Sequence, residues 1–180
     1  MAGMRPSHPN ARSKALHKGG RAVYGTAMND DSEIPQFGSA MPGLIYGERP
    51  SAYGVAVNAA GRVLVCRRSR GRILLPGGGL HAGESPHEAM VREVGEETAH
   101  RVLEASEIGR ARQYHSHRIS KPPVNKFCHF YAIDVAHDPL ILSEDDHQAV
   151  WLSPHDLVSS LTFESHRWAL ERHFHHRRRG

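Results

Sequence analysis

The stretch Gly78 to His100, GGLHAGESPHEAMVREVGEETAH, restricts what this chain can fold into more than any other part of it. Ser85, Pro86 and Glu88 form a helix start. Ser85 is a side-chain cap, Pro86 stands where a missing N–H costs nothing, and Glu88 is placed to bond back to the cap amide. The spacing predicts a helix beginning near Pro86. Offsets of three and four residues are neighbours on a helix surface, so Glu93, Glu96 and Glu97 share one face. Met90, Val91, Val94 and Thr98 fall on the opposite, core-facing side. A short strand, Ile73-Leu74-Leu75, and a Pro76-Gly77-Gly78-Gly79 turn precede the helix.

Three like charges on one helix face repel by roughly 0.2–0.5 kcal/mol per pair unless a cation lies between them. A divalent ion is the natural candidate, and an all-carboxylate oxygen set suits Mg²⁺ or Mn²⁺ rather than zinc. On this reading Glu97→Gln leaves the metal-free fold as stable or slightly more so. The plainer alternative is a solvated acidic helix with Glu88 and Arg92 as an ordinary i,i+4 pair.

Gly78, Glu84, Arg92, Glu93, Val94, Glu96 and Glu97 stand at offsets that resemble the signature of the Nudix (MutT-like) hydrolases, which split diphosphate linkages in nucleoside diphosphate derivatives. The resemblance runs from about Pro50 to Leu170, with only the motif itself highly specific. It implies an α/β fold, an α/β/α sandwich around a mixed β-sheet, and a small nucleotide as substrate. It also implies Glu96 and Glu97 as ligands of Mg²⁺ or Mn²⁺, Glu93 as ligand or base, Arg92 as the residue orienting Glu93, and a backbone carbonyl at Gly78 turned to the metal. Glu84 is structural or reaches an outer metal. Enzymes of this kind often draw a further ligand or base from a loop in the region of Glu144 and Asp145, although such an acidic run is more commonly a solvated turn.

The family pattern ends in glycine and an aliphatic residue, where this chain has Ala99 and His100. Either Ala99 ends the helix in a left-handed conformation, at a cost of roughly 1 kcal/mol, or the helix runs on toward Val102. A Nudix-like module that senses a nucleotide without hydrolysing it is the competing function. The presence of all three helix glutamates and Arg92 favours the enzyme. An mRNA-end hydrolase is weakened by the charge distribution, which makes nucleic acid an unfavoured partner.

The net charge of +4 is unevenly spread. Residues 1–28 carry five bases and no acid, and residues 167–180 carry five arginines against Glu171. Between them 13 bases face 18 acids, a net of −5. Arg49, Arg67, Arg72 and Lys126 are available to hold phosphate, though most such residues are surface charges. Tyr53, Tyr114 and Phe130 could stack on a base, but strand aromatics are more often core. Cys66 and Cys128 are too few for a disulfide framework and read as buried thiols of a cytoplasmic protein. No apolar run reaches membrane-spanning length.

Residues 1–38, rich in Pro, Gly, Ser, Ala and His, read as a basic leader, with Met28 as an alternative start. Residues 39–172 read as one domain, compatible with a homodimer, and 173–180 as a His/Arg-rich tail. Strands are expected at Ser51–Val57 and Arg62–Arg67, joined as a hairpin through Asn58–Gly61, at Phe127–Val135 and at Gln148–Leu152, with a weaker one at Gly109–Arg118. A short helix capped by Ser153-Pro154 and another over Glu164–Phe174 complete the pattern.

Overall fold

The computed structural model describes residues 34–116, 122–138 and 148–177. Strand β2 (Gly47–Ala56) lies inside a five-stranded mixed sheet of order β1-β6-β7-β2-β5. Its companions are β1 (Gln36–Phe37), β5 (Gly77–Gly79), β6 (His100–His115) and β7 (Val124–His137). The pairs β1–β6 and β2–β7 are parallel, and β6–β7 and β2–β5 antiparallel. A smaller antiparallel sheet has the order β4-β3-β8, from β4 (Arg72–Leu74), β3 (Val63–Arg68) and β8 (Gln148–Leu152).

Ser51 to Ala56 are all buried because helices cover both faces of the large sheet. Ala52 and Ala56 pack with Leu64, Ala89, Met90, Val94 and Ile133 on the side of α1 (Pro86–Thr98). Tyr53 and Val55 pack with Phe130, Ala169 and Leu170 on the side of α3 (Glu164–Arg177). The period-2 alternation of a strand therefore separates two cores. Helix α2 (Pro154–Ser160) is capped by Ser153, as its sequence predicts, and buries Leu157. The expected α/β/α layering is present.

Four boundaries differ from the sequence reading. The Asn58–Gly61 turn forms, with the Gly61 amide donating to the Asn58 carbonyl at 2.8 Å, but β2 and β3 do not make a hairpin. β7 takes one edge of β2 along its whole length and β5 takes the other at Ser51–Tyr53, and β3 leaves after a single Val57–Val63 bridge and joins the small sheet. Strand β6 starts at His100 and spans 16 residues. Apart from the buried His100 its first half is mostly exposed, and it carries two register shifts, which erase any alternation while backbone pairing with β7 continues. At the start of the domain, residues read as leader form β1, which lies on the edge of β6 with Phe37 against Trp168 at 6.3 Å. At its end α3 runs on to Arg177, taking in His173 to Arg177 from the stretch read as tail.

Helix α1 ends at Thr98, and Ala99 adopts the left-handed conformation at φ 54°, ψ 34°. The chain therefore tolerates strain where the pattern it resembles has glycine. Ala99→Gly is expected to stabilise the fold by ~0.5–1 kcal/mol, the relief of that strain less the extra freedom glycine gives the unfolded chain. Urea denaturation of both proteins measures it, and an unchanged or lowered midpoint would contradict it.

Candidate active site

The motif is built on the helix start that its sequence encodes. The Ser85 hydroxyl accepts from the Glu88 amide at 3.2 Å, and the Glu88 carboxylate accepts from the Ser85 amide at 2.9 Å. Glu88 is thus a capping residue and not the partner of Arg92. Arg92 instead forks onto Glu84, Nε to Oε1 at 2.8 Å and Nη2 to Oε2 at 3.0 Å. Its Nη1 also donates to Glu93 at 3.0 Å and to Glu96 at 3.1 Å, and its Nη2 to the Gly79 carbonyl at 3.2 Å. One guanidinium therefore fixes two of the three helix glutamates and the loop before the helix. Glu84 anchors it, held in turn by the His81 amide at 2.8 Å.

Gly78 lies directly against the Glu93 carboxylate, where a Cβ would collide with the carboxyl group. Gly77 has φ 140°, and a Cβ there would strike the Ala52 carbonyl. The glycines of the turn are required by close approach on one side and by backbone conformation on the other.

Glu97 departs from the sequence reading. It shares the helix face of Glu93 and Glu96 but is only 1% exposed, whereas Glu96 is 45% exposed. Its Oε1 is ion-paired with Arg68, and its Oε2 accepts from the Gly77 amide at 2.9 Å and from the Cys66 thiol at 3.4 Å. The repulsion expected among three glutamates is thus relieved by two arginines, Arg92 for Glu93 and Glu96 and Arg68 for Glu97. The expectation that Glu97→Gln is neutral or stabilising without metal is corrected accordingly, since it would remove the charge that satisfies Arg68.

Arg68, which pairs with Glu97, is the arginine of this region that the sequence reading leaves out in favour of Arg67 and Arg72. A signal existed. Leu64 packs on the α1 side, so Cys66 and Arg68, at the same strand parity, face α1, and Arg67 faces away and is exposed. Arg72 lies opposite Arg68 in β4. Arg49 and Lys126 are register partners in β2 and β7. The Arg49 guanidinium lies over Gly79, 3.0 Å from where a Cβ would stand, and Lys126 donates to the Tyr53 hydroxyl at 2.9 Å with its ammonium 4.6 Å from the Phe163 ring centre. Tyr53 and Phe130 are core residues, stacked at 5.6 Å, and burial raises the Tyr53 hydroxyl above its ordinary range. Tyr114 meets Tyr46 edge to face at 4.9 Å. Glu144 and Asp145 lie outside the described residues.

The donor chemistry suits a hard cation. Glu93 and Glu96 supply carboxylate oxygens beside the backbone of Gly78 and Gly79, and oxygen-only sets of this kind fit Mg²⁺ or Mn²⁺. Among the described residues, no three His, Cys, Asp or Glu side chains converge as a ready-made metal cluster. Nor is any helix of these residues long and apolar enough to cross a membrane.

The NUDIX domain model matches residues 47–174. A NUDIX hydrolase from Nitrosomonas europaea superposes with a TM-score of 0.58 at 20% identity, over 72% of this chain and 90% of its own. A MutT NUDIX hydrolase from Burkholderia pseudomallei gives 0.57 at 25% identity, over 70% and 98%. A MutT protein from Bacillus halodurans gives 0.56 at 19%, over 68% and 80%. No curated protein matches the sequence. With more than half of its length matched by the domain model, the chain belongs to the NUDIX family, as a pyrophosphohydrolase of that class.

Two stability effects follow from this network. Arg68→Met takes the β3 counter-ion from the buried Glu97 carboxylate, and is expected to cost about 2–3 kcal/mol, less than the loss from a fully buried pair because Arg68 is partly solvated. Arg68→Met/Glu97→Gln should recover most of that loss in urea denaturation, and a double variant no better than the single one would refute the pairing. The second effect is a pH dependence. The hydrogen bond from Arg92, aided by the His81 amide, pulls the Glu84 carboxyl from 4.5 down to about 2. A carboxyl lowered on folding stabilises the fold above its unfolded value, and that contribution fades as pH falls through its folded value. The stability gap between the parent and Glu84→Gln should therefore be full above pH 4.5 and close toward pH 2, as followed by thermal melts across that range.

Proposed function

We propose that this protein hydrolyses the diphosphate linkage of a small nucleoside diphosphate derivative with the help of Mg²⁺ or Mn²⁺. The observation that carries this reading is the Arg92 network, which holds the Glu93 and Glu96 carboxylates beside the Gly78–Gly79 backbone at the start of a rigid helix. Glu93, Glu96 and the backbone carbonyl at Gly78 would hold the ion, and Glu97 would join them by exchanging Arg68 for metal. When bound, such an ion neutralises phosphate oxygens and lowers the pKa of a coordinated water.

The chain's own residues do the rest. Glu93, pinned by Arg92 and by contact with Gly78, is the proton acceptor for the attacking water, and the fixed rotamer puts its oxygens in place before substrate arrives. Arg92 does not need to meet substrate; it acts through Glu93, Glu96 and Glu84. Arg68, released from Glu97, would offer its guanidinium to a phosphate. Arg49 and Lys126, adjacent cations on β2 and β7, would bind the more distant part of the polyanion. Arg67 and Arg72, on strands of the small sheet, are the weaker candidates for that task.

The test is a panel of nucleoside triphosphates, nucleotide sugars and dinucleoside polyphosphates, assayed for phosphate, diphosphate or nucleoside monophosphate release with Mg²⁺, with Mn²⁺ and with chelator. Glu93→Gln is expected to lower kcat by at least about a hundredfold, or roughly 2.7 kcal/mol of transition-state stabilisation, with little change in melting temperature. Turnover in chelator, or near-parental turnover in Glu93→Gln, would overturn the assignment. Saturable nucleotide binding without release of any product would instead identify a sensing module.

A further inference from the structure

We propose that His100 and His137 form a two-histidine site for a borderline divalent transition-metal ion of the Zn²⁺, Ni²⁺ and Cu²⁺ group, outside the carboxylate cluster of the motif helix. His100 is the residue that stands where the motif otherwise has an aliphatic side chain. It is the first residue of β6, directly opposite His137 near the end of β7. The Asp138 amide donates to the Ala99 carbonyl at 3.0 Å. That bond flanks the 100/137 pair and makes it a non-hydrogen-bonded pair of the antiparallel ladder, the kind in which facing side chains approach most closely. Both rings line one open cavity of about 620 Å³, together with Asn58, Asp134 and Trp151.

The chemistry of His100 is set by its neighbours. Its Nδ1 is 2.7 Å from the Thr98 carbonyl, which can only accept, so Nδ1 carries the proton and Nε2 keeps a lone pair. Histidine ligands of metal ions are commonly oriented in this way, by a second ring nitrogen that donates to a backbone carbonyl. Burial, reinforced by the nearby His137 ring, lowers the His100 pKa although the Thr98 carbonyl opposes this, and the neutral ligand form is favoured. The ring centres of His100 and His137 are 5.3 Å apart. With metal–nitrogen bonds of about 2.0–2.1 Å, each ring centre would sit about 3.2 Å from a shared ion, and the two would subtend an angle of about 110°, close to tetrahedral. The rings now meet edge to face at 82°, and the exposed His137 needs only a side-chain rotation to turn a nitrogen toward the ion. Two imidazoles leave the remaining positions to water and select a nitrogen-preferring metal over Mg²⁺.

Trp151 makes the site observable, because its ring centre is 5.8 Å from that of His100. The experiment is Cu²⁺ titration of the full chain carrying Trp168→Phe, so that emission comes from Trp151. Saturable quenching at micromolar Cu²⁺, reversed by chelator and unrelieved by millimolar Mg²⁺, is the expected result. His137→Ala, at an exposed position that leaves the fold intact, should weaken it by at least about tenfold, and His100→Gln likewise. His173→Ala/His176→Ala, which alters histidines of α3, should leave it unchanged. Absence of saturable quenching, parental quenching in His137→Ala, or its loss in the α3 variant would each overturn the site. The readout is independent of hydrolysis, so its outcome does not depend on the carboxylate site.

Discussion

A buried carboxylate fixes how the parts of this protein meet. Glu97 is on α1, its counter-ion Arg68 and its thiol donor Cys66 are on β3, and its amide donor Gly77 is on β5. Those elements belong to the motif helix, the small sheet and the large sheet. An ionised group withdrawn from water is costly unless nearly every lone pair finds a donor, so a shift of any of the three elements would leave charge uncompensated. Such a group contributes less to net stability than to the uniqueness of the arrangement. Cys66 follows the same logic. Burial, and then the neighbouring Glu97, push its thiol well above the ordinary range and keep it a protonated donor.

Around that anchor the charge is divided between two arginines with different duties. Arg92, bidentate on Glu84 and shared between Glu93 and Glu96, is rigid, because its planar fork is committed on every side. Arg68 pairs with Glu97 and keeps part of its surface in water, so it is held less tightly than Arg92. Under the proposed function, Arg92 would hold the carboxylates ready while Arg68 would give way as metal and phosphate enter.

On the opposite face of the large sheet the buried polar groups are structural. His166 is fully buried, and its Nδ1 accepts from the Leu75 amide at 3.1 Å, which ties α3 to the chain between β4 and β5. Burial holds its pKa well below the usual histidine range, so it remains a neutral acceptor. Cys128 is raised to about 12 by the same desolvation. Lys126, above Tyr53 and Phe163, is the polar group at the margin of this layer.

The sequence by itself determined what depends on neighbours along the chain. The Ser85–Glu88 cap, the start of α1 at Pro86, the shared face of Glu93, Glu96 and Glu97, strand β8 and the Ser153 cap are all local, and each was legible in spacing. Tertiary structure decided what depends on partners distant in sequence. Strand β6 is held by pairing with β7 and not by its own pattern, so its mostly exposed first half gave no periodic signal. Whether β2 or the small sheet would take β3 was likewise settled by partners elsewhere in the chain. Glu97, one residue from the exposed Glu96, became buried because Arg68, 29 residues earlier in the chain, and the Gly77 amide came to meet it. A helical wheel gives the direction of a side chain, but only the packing of two sheets against that helix determines whether it ends in water or against an arginine.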